Sequence, residues 1–159
     1  MRHTLEKEIK ALLKRNQSKQ AIYKTLATDT NQNELTNLLN NLPLNSRRKI
    51  TFGITLFLVG LLTLLTIKQG LFAYLHSNTA ASLILGFVGP IIHIYIIREL
   101  LRSHRLAYQL LPLLSILALF RPENRILPDM YMYICMAVLS GILYLFLFPK
   151  KEQIQYSQV

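Results

Sequence analysis

The sequence predicts an all-α integral membrane protein, a four-helix transmembrane bundle preceded by a small cytoplasmic helical domain. Composition is the first reason, since 52% of the 159 residues are apolar and 16% are charged, against roughly 25% charged in soluble domains. The second is that long runs free of Asp, Glu, Lys and Arg occur four times, which soluble helices seldom manage. We expect a three-helix domain at 1–45, a bundle at 46–149 with spans at about 50–67, 80–97, 104–120 and 130–148, and a cytoplasmic tail at 150–159.

Residues 1–45 predict three short amphipathic helices. Large aliphatic side chains recur at helical spacing within 5–13, 22–26 and 35–42, so each helix has one apolar stripe. Ser18 can cap the second helix, and Asn31 with Glu34 resembles a capping box for the third. About ten aliphatic side chains make a marginal core, so we expect this domain to lean on the membrane portion or on another protein.

The first two spans set the orientation of the chain. Residues 1–49 contain no apolar core with a small-residue cleavage site, so we expect no secretory signal peptide. Basic residues before residue 50 and after residue 97 hold those ends in the cytoplasm, and 68–78 becomes an external loop. We expect the flanking cations to orient the chain and contact lipid headgroups; they are Arg47, Arg48, Lys49, Arg98, Arg102 and Arg105.

The third span is the least well defined. Its charge-free part is only 15 residues long and contains Pro112, so an interfacial or re-entrant segment is the alternative. Counting Lys and Arg near the spans gives eight inside and three outside for either three or four spans. Tyrosines at the expected boundaries favour four spans. Both termini are then cytoplasmic, and we expect a bacterial inner membrane.

Small and polar residues in two spans indicate packing faces or a path through the membrane. His93 is the one His, Asp, Glu, Lys or Arg inside the four charge-free runs, and such groups are functional candidates because hydrocarbon makes them costly. Pro90 cannot donate to the carbonyl of Gly86. Helix packing, with His93 bonded across the contact, is the interpretation that the pattern favours. The second and fourth spans would then be neighbours through these candidates: Ser82, Gly86, Gly89, Pro90, His93, Ala137 and Gly141.

The sequence contains no recognisable catalytic or metal-binding arrangement. Three of the four histidines, at 76, 93 and 104, are expected at different depths, whereas metal or haem binding needs several ligands together. Cys135 is the only cysteine, which excludes an intrachain disulfide. We therefore expect no enzyme activity, no catalytic residue, no metal and no cofactor. The lysines of residues 1–45 lie on more than one face without interleaved aromatics, which makes nucleic-acid binding improbable.

These observations predict a non-enzymatic membrane subunit. We expect it to contact membrane lipids, to pack against a partner membrane protein or a second copy of itself, and to dock a cytoplasmic protein through residues 1–45. The alternatives are an immunity or holin-like protein acting on membrane pores, and a small transporter or channel with His93 and Pro90 lining its path.

Overall fold

The computed structural model describes residues 2–15, 17–27, 32–121, 124 and 126–154, and these residues are helical throughout apart from short connections. Three short helices come first, and four longer ones follow. A 3-10 turn at Lys150–Glu152 follows the last of them. The helices are α1 (Arg2–Lys14), α2 (Lys19–Leu26), α3 (Gln32–Asn41), α4 (Asn45–His76), α5 (Ala80–Leu101), α6 (Arg105–Leu119) and α7 (Asp129–Leu147).

Helices α1, α2 and α3 form a small unit, which we call the head. Its core uses the predicted apolar stripes, and Ile9, Ile22 and Leu39 are fully buried there. Ser18 caps α2 as predicted, because its hydroxyl accepts a hydrogen bond of 3.2 Å from the backbone N–H of Ala21. Asn31, the predicted cap of α3, lies outside the described residues.

Helix α4 is longer than the first predicted span. The external loop predicted at 68–78 is helical as far as His76, and only residues 77–79 connect α4 to α5. The helix continues because Lys68 and Gln69 are followed by apolar residues, among which Ala73 is buried against α5. Thr79 then begins α5 through a capping box with Ser82.

Three helices, not four, are long and apolar enough to cross a membrane within the described residues: α4, α5 and α7. The predicted third span, 104–120, forms α6 with only 15 residues, which is about 22 Å of helix and short of the roughly 30 Å hydrocarbon core. Helix α6 cannot begin earlier, because the backbone N–H groups of Ser103 and His104 bond to carbonyls of the last turn of α5. Arg105 is therefore the first residue of α6. The prediction of four full-length spans is therefore wrong at α6.

The end of α5 has the hydrogen bonds of a Schellman motif. The N–H of His104 donates to the carbonyl of Glu99 at 3.0 Å, and the N–H of Ser103 donates to that of Leu100 at 2.8 Å. Ser103 has φ of 58°, the left-handed conformation that glycine usually supplies. The sequence has no glycine there, which is why the sharp turn between α5 and α6 was not predicted.

Helices α4 to α7 run antiparallel in sequence order. Arg47 at the start of α4 donates to the carbonyl of Phe146 at the end of α7 (2.6 Å), and Lys68 pairs with Asp129 at the start of α7. The start of α4 and the end of α7 therefore share one end of the bundle, the head end. Helix α6 carries the chain from the head end to the far end.

The exposed apolar surface is confined to the bundle. Every exposed large apolar side chain among the described residues lies from Ile50 onward, and Ile50 itself is 72% exposed. The head buries its apolar residues as a water-soluble protein does, whereas α4 to α7 present Leu, Ile and Phe outward along their length. This division is typical of a head in water and helices in lipid.

We predict that Gly86→Ala destabilises the bundle by about 1 to 3 kcal/mol. An alanine Cβ at position 86 would lie 2.7 Å from the Cβ of Ala73, so α4 and α5 would have to separate. Gly141→Ala is the matched control, because its added Cβ has no atom within 4 Å. The measurement is the unfolding midpoint in mixed detergent and SDS; equal midpoints for the two variants would contradict the close packing at Gly86.

Candidate functional site

The small residues of α5 pack against α4 of the same chain. Gly86 faces Ala73, and a Cβ on Gly89 would lie 2.8 Å from Oε1 of Gln69. Helix α5 packs mainly against α4, and α7 packs against α6 and α4. The small-residue face of α5 therefore contacts α4, and the expectation that it contacts the fourth predicted span is wrong.

Ser82 does not belong to this packing face. It is exposed, and its hydroxyl donates to the carbonyl of Thr79 at 2.8 Å as part of the capping box. Gln69 is the polar residue that joins helices here, because its Nε2 donates to the hydroxyl of Tyr133 on α7 at 2.9 Å. Gln69 has no distinguishing signal in the sequence, because it follows Lys68 in the region predicted as a loop.

His93 is half-buried in α5, three residues after the buried Pro90. Its Nδ1 is buried and has no hydrogen-bond partner among the described residues. The hydrogen bond across a helix contact that the packing interpretation predicts is therefore not formed at Nδ1.

The outer face of α4 carries an apolar groove that the sequence analysis missed. A shallow cavity of ≈ 430 Å³, largely open and lined by α4 alone, lies on this face, and a Cβ on either Gly53 or Gly60 would meet no atom within 4 Å. The hydroxyl of Thr63 donates to the carbonyl of Val59 at 2.7 Å, so the wall has no unpaired donor there. The groove, hereafter the α4 groove, is lined by Phe57, Gly60, Leu61, Thr63 and Leu64.

Gly53 and Gly60 are seven residues apart, which places them on one helix face. That spacing was the available signal in the sequence, although glycine is common in membrane helices. Ala137 and Gly141 on α7 are half-buried, and a Cβ on Gly141 would also meet open space. Position 141 is thus a second open small-residue site on the bundle.

His104 joins the head to the bundle. Its Nδ1 lies 2.5 Å from Oε2 of Glu99, and its Nε2 lies 3.3 Å from Oε1 of Glu6 on α1. The imidazolium form donates at both nitrogens, which suits two carboxylate acceptors. The hydrogen bond from Lys10, followed by its charge and the contact with His104, holds the pKa of Glu6 below its usual value against the opposing effect of burial.

Two of the predicted orienting cations, Arg47 and Arg105, make contacts within the chain. Besides its bond to α7, Arg47 pairs with Glu152 at 2.5 Å, and Arg105 donates to the hydroxyl of Tyr144 at 2.7 Å. Lys19 of α2 is only 5% exposed beside them. Burial lowers the pKa of Lys19 to about 8, with Glu152 opposing the shift and Arg105 and Arg47 adding to it.

The beginning of the predicted tail also contacts the head. The side chain of Asn40 donates to the carbonyl of Ile154 at 3.1 Å and accepts from its N–H at 2.9 Å. Ile154 packs against the head core. Residues 155–159 lie outside the described part of the chain.

No known protein family, curated protein or solved structure matches this chain. Within the described residues no group of three or more His, Cys, Asp and Glu side chains could hold a metal ion. Cys135 is a half-buried free thiol in α7.

We predict that the stability of the head rises with pH between about 8 and 10.5. In that range the unfolded chain holds a proton on Lys19 that the folded chain releases, so raising the pH favours folding. Lys19→Met should therefore remove the rise and stabilise the protein at pH 7 by about 2 to 3 kcal/mol. Lys24→Met, on the exposed face of the same helix, is the control; thermal unfolding followed by circular dichroism is the measurement.

We also predict that Glu6→Gln loosens α1 from the bundle. The lowered pKa of Glu6 means that its ionised form stabilises the folded state above pH 4.5, and that this contribution is lost as the pH falls further. At pH 7 amide hydrogen exchange in α1 should accelerate roughly tenfold. Glu8→Gln changes an exposed carboxylate on the same helix and should leave exchange unchanged; equal acceleration in both variants would contradict a role for the His104 contact.

Proposed function

We propose that this protein is a non-enzymatic integral membrane subunit whose α4 groove receives a transmembrane helix of a partner membrane protein. The observation that carries the proposal is the groove itself, a concave apolar site on a helix face with no side chain over Gly53 or Gly60. Lipid gives helices no hydrophobic drive to associate, so contact depends on close backbone approach at small residues. Gly60 permits that approach.

The head supports docking of an acidic cytoplasmic protein. Its described surface exposes no large apolar side chain, so a partner would be recognised through charge and hydrogen bonds. Lys7, Arg15 and Lys24 are exposed, and none of them pairs with a described carboxylate. Charge complementarity of this kind steers association and suits a reversible contact.

We further propose that the head end faces the cytoplasm of a bacterial inner membrane, with both termini on that side. Support comes from the basic residues gathered at the head end and from the contacts that bring residue 154 back to the head. Helix α6 would be the fourth crossing despite its length. Arg105 at its start bonds to Tyr144, and Phe120 and Arg121 extend its far end, which lets a short helix reach both interfaces.

The competing functions give different results in the same cells. A holin-like protein would cause dye leakage on expression, an immunity protein would confer resistance to a pore-forming toxin, and a transporter would lose flux when His93 is replaced by Leu. No specific contact favours these functions over the subunit. Binding in the α4 groove requires only a transmembrane helix of a neighbouring protein.

We predict that Gly60→Leu abolishes co-purification of a membrane partner in mild detergent. An added Cβ at position 60 meets no atom within 4 Å, and the rest of the leucine side chain would occupy the α4 groove on the outer face of the helix, so the variant should fold normally. Gly141→Leu is the matched control because the same change is made in open space on α7. The readout is mass spectrometry of cross-linked complexes, with a photoreactive residue placed at position 64.

A second copy of this chain in the cross-link would identify the occupant as the protein itself. Loss of the complex in Gly141→Leu but not in Gly60→Leu would move the partner to α7 and contradict the assignment to the α4 groove. A wild-type chain that always elutes as a lone monomer would contradict the subunit proposal as a whole.

A further inference from the structure

A second cavity lies between the head and the bundle, separate from the α4 groove. Its volume is ≈ 290 Å³, and its walls come from α1, the start of α4 and the end of α5. Four of the lining side chains are basic, namely Lys10, Lys14, Arg48 and Arg102. Cations from three elements that are distant in sequence therefore surround one space, which we call the basic cavity.

The charge of the basic cavity is largely uncompensated. Glu6 pairs with Lys10 at 2.5 Å. Within the described residues, Lys14, Arg48 and Arg102 have no carboxylate within 4 Å. Like charges held together repel one another, so three unpaired cations around one space favour an anionic ligand.

The start of α4 strengthens this preference. Asn45, the first residue of α4, lines the cavity. The N-cap residue, Leu44, makes no side-chain capping bond, and the first turn contains no acidic residue. The first N–H groups of a helix lack partners within the helix and bear partial positive charge, so they favour a phosphate or another anion.

The turn at Ser103 gives the cavity its third basic wall. Ser103 has the left-handed backbone conformation described above, and it follows Arg102 at the end of α5. Because this turn ends α5 at Leu101 and α6 begins at Arg105, the Arg102 side chain remains next to the head. Glycine would adopt this conformation at lower cost.

The position of the cavity relative to the apolar surface indicates the source of the anion. Arg48 lies two residues before the exposed Ile50, and Arg102 directly follows the exposed Leu101. The cavity therefore lies where the apolar surface ends, which is the level of lipid headgroups. Phosphate is the anionic group common to these headgroups and to soluble phosphate esters.

We propose that the basic cavity binds a phosphate group through Lys14, Arg48 and Arg102, together with the N-terminus of α4. The position of the site favours the phosphodiester of an anionic phospholipid, and a soluble phosphate ester shares the same chemistry. Arginine is suited to such a ligand because its guanidinium donates to two phosphate oxygens at once. A bound phosphate would also join the head to the bundle, since Lys14 belongs to one and Arg102 to the other.

The test uses the full chain in nanodiscs of phosphatidylcholine, with and without phosphatidylglycerol. Native mass spectrometry after release into detergent counts the phosphatidylglycerol that remains bound. The triple variant Lys14→Gln, Arg48→Gln, Arg102→Gln should retain it about a thousandfold less well than wild type, at roughly tenfold for each lost contact. The control Lys7→Gln, Lys24→Gln, Lys150→Gln removes three exposed cations outside the cavity and should retain it as wild type does.

A second arm distinguishes the source of the phosphate. Inorganic phosphate and glycerol phosphate are titrated into the protein in phosphatidylcholine alone and followed by ³¹P NMR. Saturable binding that the triple variant loses identifies a soluble ligand; retained phosphatidylglycerol that free phosphate does not displace identifies the lipid. Equal losses in the two triple variants, or no binding of either probe to the wild type, would overturn the proposal. The single variant Arg102→Gln should retain phosphatidylglycerol about tenfold less well than wild type. It provides the test if the triple variant does not fold.

Discussion

Close backbone contact between α4 and α5 is the constraint on which the bundle depends. Lipid is as apolar as the side chains that face it, so burial of leucine and isoleucine gives the helices little reason to associate there. The Gly86 contact with Ala73, the Gln69 bond to Tyr133 and the 3.0 Å bond between Thr55 and Tyr108 supply what burial does not. Each depends on a small or polar residue at one place, and larger neighbours would separate the helices.

In the head, by contrast, burial of apolar residues does drive association, because the head is surrounded by water. Its core is small, and a unit of about 40 residues is seldom stable alone. Contacts at its boundary with the bundle add to that core: Glu6 with His104, and Asn40 with Ile154. The head therefore uses the membrane end of the chain as part of its own support.

Features that periodicity and composition control could be predicted from the sequence. Features that depend on tertiary contacts could not. The apolar stripes of the head, the Ser18 cap and three membrane-length helices follow from local patterns. The helix across 68–76 was not predicted because Lys68 and Gln69 are polar and their sequence is typical of a loop. Their partners, Asp129 and Tyr133, lie on another helix. The short α6, the contact of α5 with α4 and the α4 groove depend on which faces meet, and one sequence contains no such information.

The basic residues at the head end show why a charge count cannot assign function. Rules for membrane orientation treat Arg47, Arg48, Arg102 and Arg105 alike, as cations beside apolar spans. In the structure Arg47 and Arg105 are held by Glu152 and Tyr144, whereas Arg48 and Arg102 have no described carboxylate partner and face the same cavity as Lys14. Structural cations and ligand-binding cations differ in their partners, and partners appear only when separate helices meet. The unpaired set is therefore the informative one, because folding leaves its charge available to a ligand.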